Sequence, residues 1–161
     1  MSEILASVKP SYMRRSFGVA ALVMLGALLI YIALTKPPAS LGWVAFLLGF
    51  GGLMIFGAHA MWRASAHDLI LTREALMSGD GRVVAKVADI RSADRSLFAF
   101  KPSNGFLLRL NVAEGRAWAP GIWWRVGRRV GVGGVTTASE AKFMAEVLTA
   151  LIAERDQSLD T

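Results

Sequence analysis

Between Trp118 and Val135 the chain reads WAPGIWWRVGRRVGVGGV, with three tryptophans, three arginines, five glycines and no acid. Three kinds of chemistry draw on such residues. A glycine loop can cradle a phosphate, arginines with stacked indoles can hold RNA, and the same pair can seat a domain on anionic lipid. The glycine spacing argues against the first. Gly127, Gly131, Gly133 and Gly134 do not make G-x-G-x-x-G between a strand and a helix, and G-x-x-x-x-G-K-[ST] occurs nowhere in the chain.

Residues that could run a reaction are equally dispersed. Asp68, Glu74, Asp80, Asp89, Asp94 and Glu114 fall singly at turns and strand ends, where turn and cap roles account for them. There are two histidines, His59 and His67, no cysteine and no G-x-S-x-G, so no nucleophile has an evident base. His59 lies in a long apolar segment without a second ligand close by, which favours an interhelical hydrogen bond or an interface position over metal binding. The sequence therefore predicts a protein that is not an enzyme, with no catalytic residues, no cofactor and no metal.

Charge is the stronger signal. From Arg82 to Gly133 ten Lys or Arg stand against three acids, within a chain of net charge +6. RNA would suit a basic face with interleaved tryptophans. Anionic headgroups suit it equally, at about 1 kcal/mol per Lys or Arg near the surface, and tryptophan favours that interfacial zone. The elements that position the patch decide between them.

The chain is 161 residues long, 54% hydrophobic, with a mean hydropathy of +0.46, high for a soluble domain. The surplus is concentrated in Phe17–Leu34 and Leu41–Trp62, neither of which holds an Asp, Glu, Lys or Arg. At 1.5 Å per residue each can cross a hydrocarbon core of about 30 Å. The first exceeds the roughly 7–15 residues of a signal-peptide core and is followed at once by a second, so the pair is read as a transmembrane hairpin joined by TKPPAS. Lys9, Arg14, Arg15 and Arg63 flank it on one side and Lys36 alone on the other, which predicts both termini in the cytoplasm. Gly42, Ala45, Gly49 and Gly52 share one helical face, expected to be the seam with the other helix, or alternatively a docking face for another membrane protein.

After Trp62 the period shortens to two. Strands are expected at Asp68–Thr72, Ala75–Gly79, Arg82–Val87, Arg95–Lys101, Phe106–Val112, Arg116–Ala119 and Arg129–Gly133, with turns at Asp80-Gly81, Asn104-Gly105 and Glu114-Gly115. Thr137-Ala138-Ser139-Glu140 has the form of a capping box opening an amphipathic helix, whose stripe Met144, Val147, Leu148, Leu151 and Ile152 must cover an end of the sheet structure. The division is 1–16 cytoplasmic segment, 17–62 hairpin (17–34 and 41–62), 63–67 connector, 68–156 cytoplasmic domain and 157–161 tail. In a seven-stranded meander starting at the tether, the last turn, with Ile122, Trp123, Trp124 and Arg125, returns to the tethered end. Trp118, on a strand, is expected in the core.

A two-helix hairpin followed by seven antiparallel strands and a closing helix resembles the bacterial pleckstrin-homology-like domain proteins, over Asp68 to about Arg155 and through the connector-like run ADIRSADRSLFAF. The resemblance implies an α+β membrane protein whose small barrel or sandwich binds or scaffolds and carries no catalytic residues. Eukaryotic relatives grip inositol phosphates with a K-x-R-x-R-like first hairpin; here that hairpin, LILTREALMSG, has Arg73 as its only base.

The expected function is thus binding of a membrane partner or an anionic lipid surface, with Trp123, Trp124, Arg125, Arg128 and Arg129 at the interface and Gly42, Ala45, Gly49 and Gly52 packing helices. The alternative is an accessory subunit or assembly factor of a larger membrane complex, a bioenergetic one among the candidates. The partners are the bilayer and another integral membrane protein, with no nucleic acid. If the hairpin spans, the full-length chain stays with the membrane pellet through an alkaline carbonate wash and leaves it only in detergent; recovery in the wash would refute the spans.

Overall fold

The computed structural model describes residues 3–94 and 105–159. Strand β1 (Ile4–Val8) is followed by helices α1 (Tyr12–Thr35) and α2 (Leu41–Ala64). Then come β2 (Leu69–Thr72), β3 (Ala75–Ser78), β4 (Val83–Lys86), a 3-10 turn (Val87–Asp89), β5 (Ile90–Asp94), β6 (Phe106–Ala119), β7 (Trp123–Val132) and α3 (Ala138–Leu159). The expected strand Arg95–Lys101 and Asn104 of the expected turn lie outside the described residues.

Helices α1 and α2 are each 24 residues and apolar enough to cross a membrane. Only 11% of the most apolar window of each is buried. A core helix of a water-soluble protein would hide such a surface, whereas these turn it outward, as lipid requires. Their contact is narrower than the small-residue spacing predicted. Gly26 and Ala33 on α1 and Gly51 and Ala58 on α2 are the buried positions. A Cβ on Gly26 would lie 2.8 Å from the Gly51 carbonyl oxygen, and one on Gly51 2.9 Å from that of Gly26. Glycine at both positions is what lets the backbones touch. The expected seam is corrected accordingly: Gly42, Ala45, Gly49 and Gly52 are exposed, and a Cβ on Gly49 or Gly52 would meet nothing within 4 Å.

The segment before the hairpin, expected to be a plain cytoplasmic lead, is part of the β structure. β1 pairs antiparallel with β2, Ile4 opposite Thr72 and Val8 opposite Leu69, so the whole hairpin is inserted between two neighbouring strands. Sheet one runs β1-β2-β3-β4 and sheet two β5-β6-β7. Thr72 closes the β2–β3 turn, its hydroxyl accepting from the Glu74 and Ala75 amides and donating to the Ala75 carbonyl. The β3–β4 turn falls at Asp80-Gly81 as predicted, with Gly81 at φ +87° and its amide donating to the Ser78 carbonyl. Burial works to raise the Asp80 pKa, but hydrogen bonds from the Arg82 amide and guanidinium and from Ser78, with the Arg82 charge, outweigh it and hold the carboxyl below its ordinary value.

Sheet two departs from the expected strands. β5 occupies Ile90–Asp94, which had been read as a connector, and β6 is one strand where two were expected. The β6–β7 register moves from Arg109 opposite Arg129 to Glu114 opposite Gly127, and then to Ala117 opposite Arg125. The surplus residues on β6 bend the ribbon. It doubles back so far that the Gly133 amide donates to the Ile122 carbonyl, and that of Val135 to Gly121.

The sheets enclose a core of Val8, Leu69, Leu71, Leu76, Val84, Ile90, Phe106, Leu108, Val130 and Val132, completed by Met144 and Leu148 of α3. Of the barrel or sandwich expected, the barrel is not formed: the two sheets do not close on each other. Arg125 on β7 donates Nη1 to the Val83 and Val84 carbonyls of β4, so a side chain takes acceptors that a ladder between those strands would need. At the β4–β5 corner Arg155 of α3 does the same, donating Nη1 to the Val87, Ala88 and Ile90 carbonyls. α3 packs across β1 and β5 and so covers the edge of sheet one. It continues to Leu159, into the expected tail.

Two substitutions separate the observed seam from the predicted one. Gly26→Val should lower hairpin stability by about 1–3 kcal/mol through overpacking, read as thermal unfolding of the detergent-solubilised chain. Gly49→Val should leave the melting temperature unchanged.

Candidate membrane-facing site

The predicted patch and the chain's entry into the hairpin meet at one end of the β structure. The tip between β6 and β7, Pro120-Gly121-Ile122, is a tight turn with Gly121 at φ +80° and the Ile122 amide donating to the Ala119 carbonyl. A Cβ on Gly121 would lie 3.2 Å from the Met61 methyl, in the last turns of α2. The last turn of sheet two therefore abuts the end of the helical hairpin.

Around that contact the chain is clamped. The Ser11 amide donates to the Val135 carbonyl at 2.7 Å, Pro10 bridges Thr136, and Arg14 Nη1 donates to the Thr136 carbonyl at 3.1 Å. The predicted capping box is used here for another purpose. Glu140 Oε2 accepts the Lys9 amide at 2.7 Å, and both the amide and the hydroxyl of Thr137 donate to the Lys9 carbonyl at 3.3 Å. The start of α3 thereby fixes the joint between β1 and α1. Across the hairpin, Arg15 stacks 3.9 Å above the centre of the Trp62 ring and donates Nη2 to the Trp62 carbonyl at 2.7 Å. A cation near the C-terminus of α2 complements that helix dipole.

The tryptophans exchange the places predicted for them. Trp123 is 2% exposed, within the core, its Nε1 without a hydrogen-bond partner among the described residues and the Arg82 guanidinium 5.8 Å from its ring centre. Trp118, expected in the core, is 68% exposed. It sits opposite the half-buried Trp124 in the ladder, three residues from Gly121 and so within about 10 Å of the tip. Arg125 is also withdrawn from the surface, its side chain 14% exposed, with Nε donating to the Gly115 carbonyl and Nη1 3.4 Å from Glu114. Arg128 and Arg129 are exposed as expected of surface residues, and Arg129 stands directly opposite the exposed Arg109. Like charges facing each other across a ladder repel.

No single signal in the sequence marks Trp118, Arg109 or the Lys9–Arg14 clamp, because each depends on the β6 register or on β1 pairing with a strand beyond the hairpin. His59, in α2, is exposed. No group of three or more His, Cys, Asp or Glu that could hold a metal occurs among the described residues.

Two apolar helices, two antiparallel sheets and a closing helix are compatible with a pleckstrin-homology-like fold. Compared with known proteins, the chain matches no family model, no curated protein and no solved structure.

The exchange of tryptophans has a direct measure. Trp123→Ala should destabilise the β structure by about 3–5 kcal/mol, as expected for a truncated core aromatic. Trp118→Ala should stay within about 0.5 kcal/mol, both by thermal unfolding in detergent.

Proposed function

We propose that the chain is a non-enzymatic, bilayer-anchored binding module of the bacterial inner membrane. Both termini are cytoplasmic, and a pleckstrin-homology-like β domain rests on the anionic membrane surface, where it receives a membrane partner. The observation that carries this reading is the insertion of the hairpin between the paired strands β1 and β2, reinforced by the clamp from Lys9 to Arg14. A domain joined to two spanning helices through one ladder cannot swing away from the bilayer, and its outer residues meet lipid headgroups at a fixed height. Exposed Trp118 close to the tip and the facing pair Arg109 and Arg129 are of the types that such a surface attracts.

A second reading, an accessory subunit or assembly factor of a larger membrane complex, is favoured by one specific feature. The face with Gly42, Ala45, Gly49 and Gly52 is turned away from α1 and offers another protein's helix a smooth approach. Under this reading a photo-crosslinker at Gly49 captures an integral membrane protein in stoichiometric yield.

Because the chain has no cysteine, single-cysteine variants report on topology without background. Ala39→Cys, between the helices, should react with a membrane-impermeant maleimide on intact spheroplasts, and Ser158→Cys only after lysis. Trp118→Cys carrying an environment-sensitive fluorophore should blue-shift in vesicles containing phosphatidylglycerol relative to phosphatidylcholine alone. The opposite labelling pattern would overturn the orientation, and identical emission in both vesicles would remove the lipid surface from the proposal.

A further inference from the structure

We infer that the outer face of α1 holds one anionic phospholipid, its phosphate at Arg14 and one acyl chain in a furrow along the helix. The inference rests on the reading of the hairpin as membrane-spanning and adds a specific ligand to it. Two hollows meet on this face. The upper, about 500 Å³, is bounded by Met13, Arg14, Phe17 and Gly18 of α1 and by Gly134 in the loop leading to α3. The lower, about 830 Å³, is bordered by Phe17, Met24 and Leu28, with Ala20, Ala21 and Ala27 leaving the space between the larger side chains. Phe17 borders both, so they adjoin along the same face of α1.

Its dimensions and chemistry match a lipid. Phe17 to Leu28 covers about 16 Å along a helix axis, close to half of a hydrocarbon core about 30 Å thick, which is the depth of one leaflet. The lower hollow is lined by apolar residues throughout, and the upper one contains a single charged residue, Arg14, on the side of the β domain. Arg14 is held there by the bond from Nη1 to the Thr136 carbonyl. A guanidinium has five N–H donors in a planar fork suited to phosphate oxygens, so the bond that anchors it leaves it able to bind. The neighbouring Arg15 is differently engaged, stacked on Trp62 and bonded to its carbonyl. A second polypeptide helix in the furrow would satisfy the alanines but bring no anion to Arg14; a phospholipid satisfies both ends at once.

The test uses the full-length chain, extracted in mild detergent and examined by native mass spectrometry with added phosphatidylglycerol or phosphatidylcholine. The wild type should retain one phosphatidylglycerol per chain, with at least a tenfold preference over phosphatidylcholine. Arg14→Gln should cut phosphatidylglycerol retention about tenfold and abolish the preference. Ala20→Phe, which fills the furrow without touching the Thr136 contact, should reduce retention of both lipids alike. Equal retention of the two lipids by the wild type, or wild-type retention by Ala20→Phe, would overturn the inference. So would a change of oligomeric state in Ala20→Phe with lipid retention unaltered, because the furrow would then belong to a protein helix. Carbonate-washed membranes separate this from the underlying reading: if the chain is retained there and the lipid results are negative, only the lipid site fails.

Discussion

The ladder between β1 and β2 is the constraint on which the other features depend. Val8 and Leu69 are neighbours in it, yet the chain between them runs out along α1 and back along α2. Two helices of 24 residues, about 36 Å each at 1.5 Å per residue, must therefore begin and end at the same level and within a strand spacing or so of each other. Equal helix lengths, the short turn around Pro37 and Pro38 and the close contact at Gly26 and Gly51 all serve that closure. The consequence for the β domain is equally direct. Its first strand lies on the far side of the helical hairpin in the chain, so residues 68–156 alone would lack Ala6 and Val8, both buried in the shared core.

How the hairpin meets the β structure follows from what surrounds the ladder. Lys9, Ser11 and Arg14 bond to Val135, Thr136, Thr137 and Glu140, while Met61 packs under Gly121. These contacts join α1 to the start of α3 and α2 to the β6–β7 tip, so each helix end meets a different part of the β structure. The two attachments adjoin, since the Val135 amide donates to the Gly121 carbonyl, so both helix ends are held at one joint. The placement of the β structure against the helix ends is then a property of the fold.

The parts legible in the sequence were those set by local pattern. Uncharged runs of helix length gave α1 and α2, alternation gave β2, β3 and β4 to within a residue or two, Asp80-Gly81 gave its turn, and the stripe from Met144 to Ile152 gave α3. Long-range pairing was not legible. Five residues, ILASV, are too short a pattern to distinguish an edge strand from a cytoplasmic lead until Leu69–Thr72 lies beside it. The small-residue face was real but misassigned, because Gly42, Ala45, Gly49 and Gly52 show only that a helix could approach there. The contact at Gly51 depends on Gly26, a partner that periodicity within one helix cannot identify.

The tryptophans show why the candidate site was harder still. Side chains alternate along a strand, so one residue of slip exchanges the buried and exposed sets. In β6 the register against β7 shifts twice between Arg109 and Ala117, and each shift resets which residues face inward. Trp118 and Trp123 were assigned by their sequence neighbours, one to a strand and one to a loop, whereas the bend of the ribbon puts Trp123 under the tip and turns Trp118 out. The same bend carries Arg125 to β4, where it takes the place of a ladder between the sheets, and so removes it from the surface that its neighbours Arg128 and Arg129 retain. A basic and aromatic stretch thus divides by register into a structural half and a surface half. What remains outside is Trp118 with Arg128 and Arg129, exposed side chains that take no part in the core beneath them.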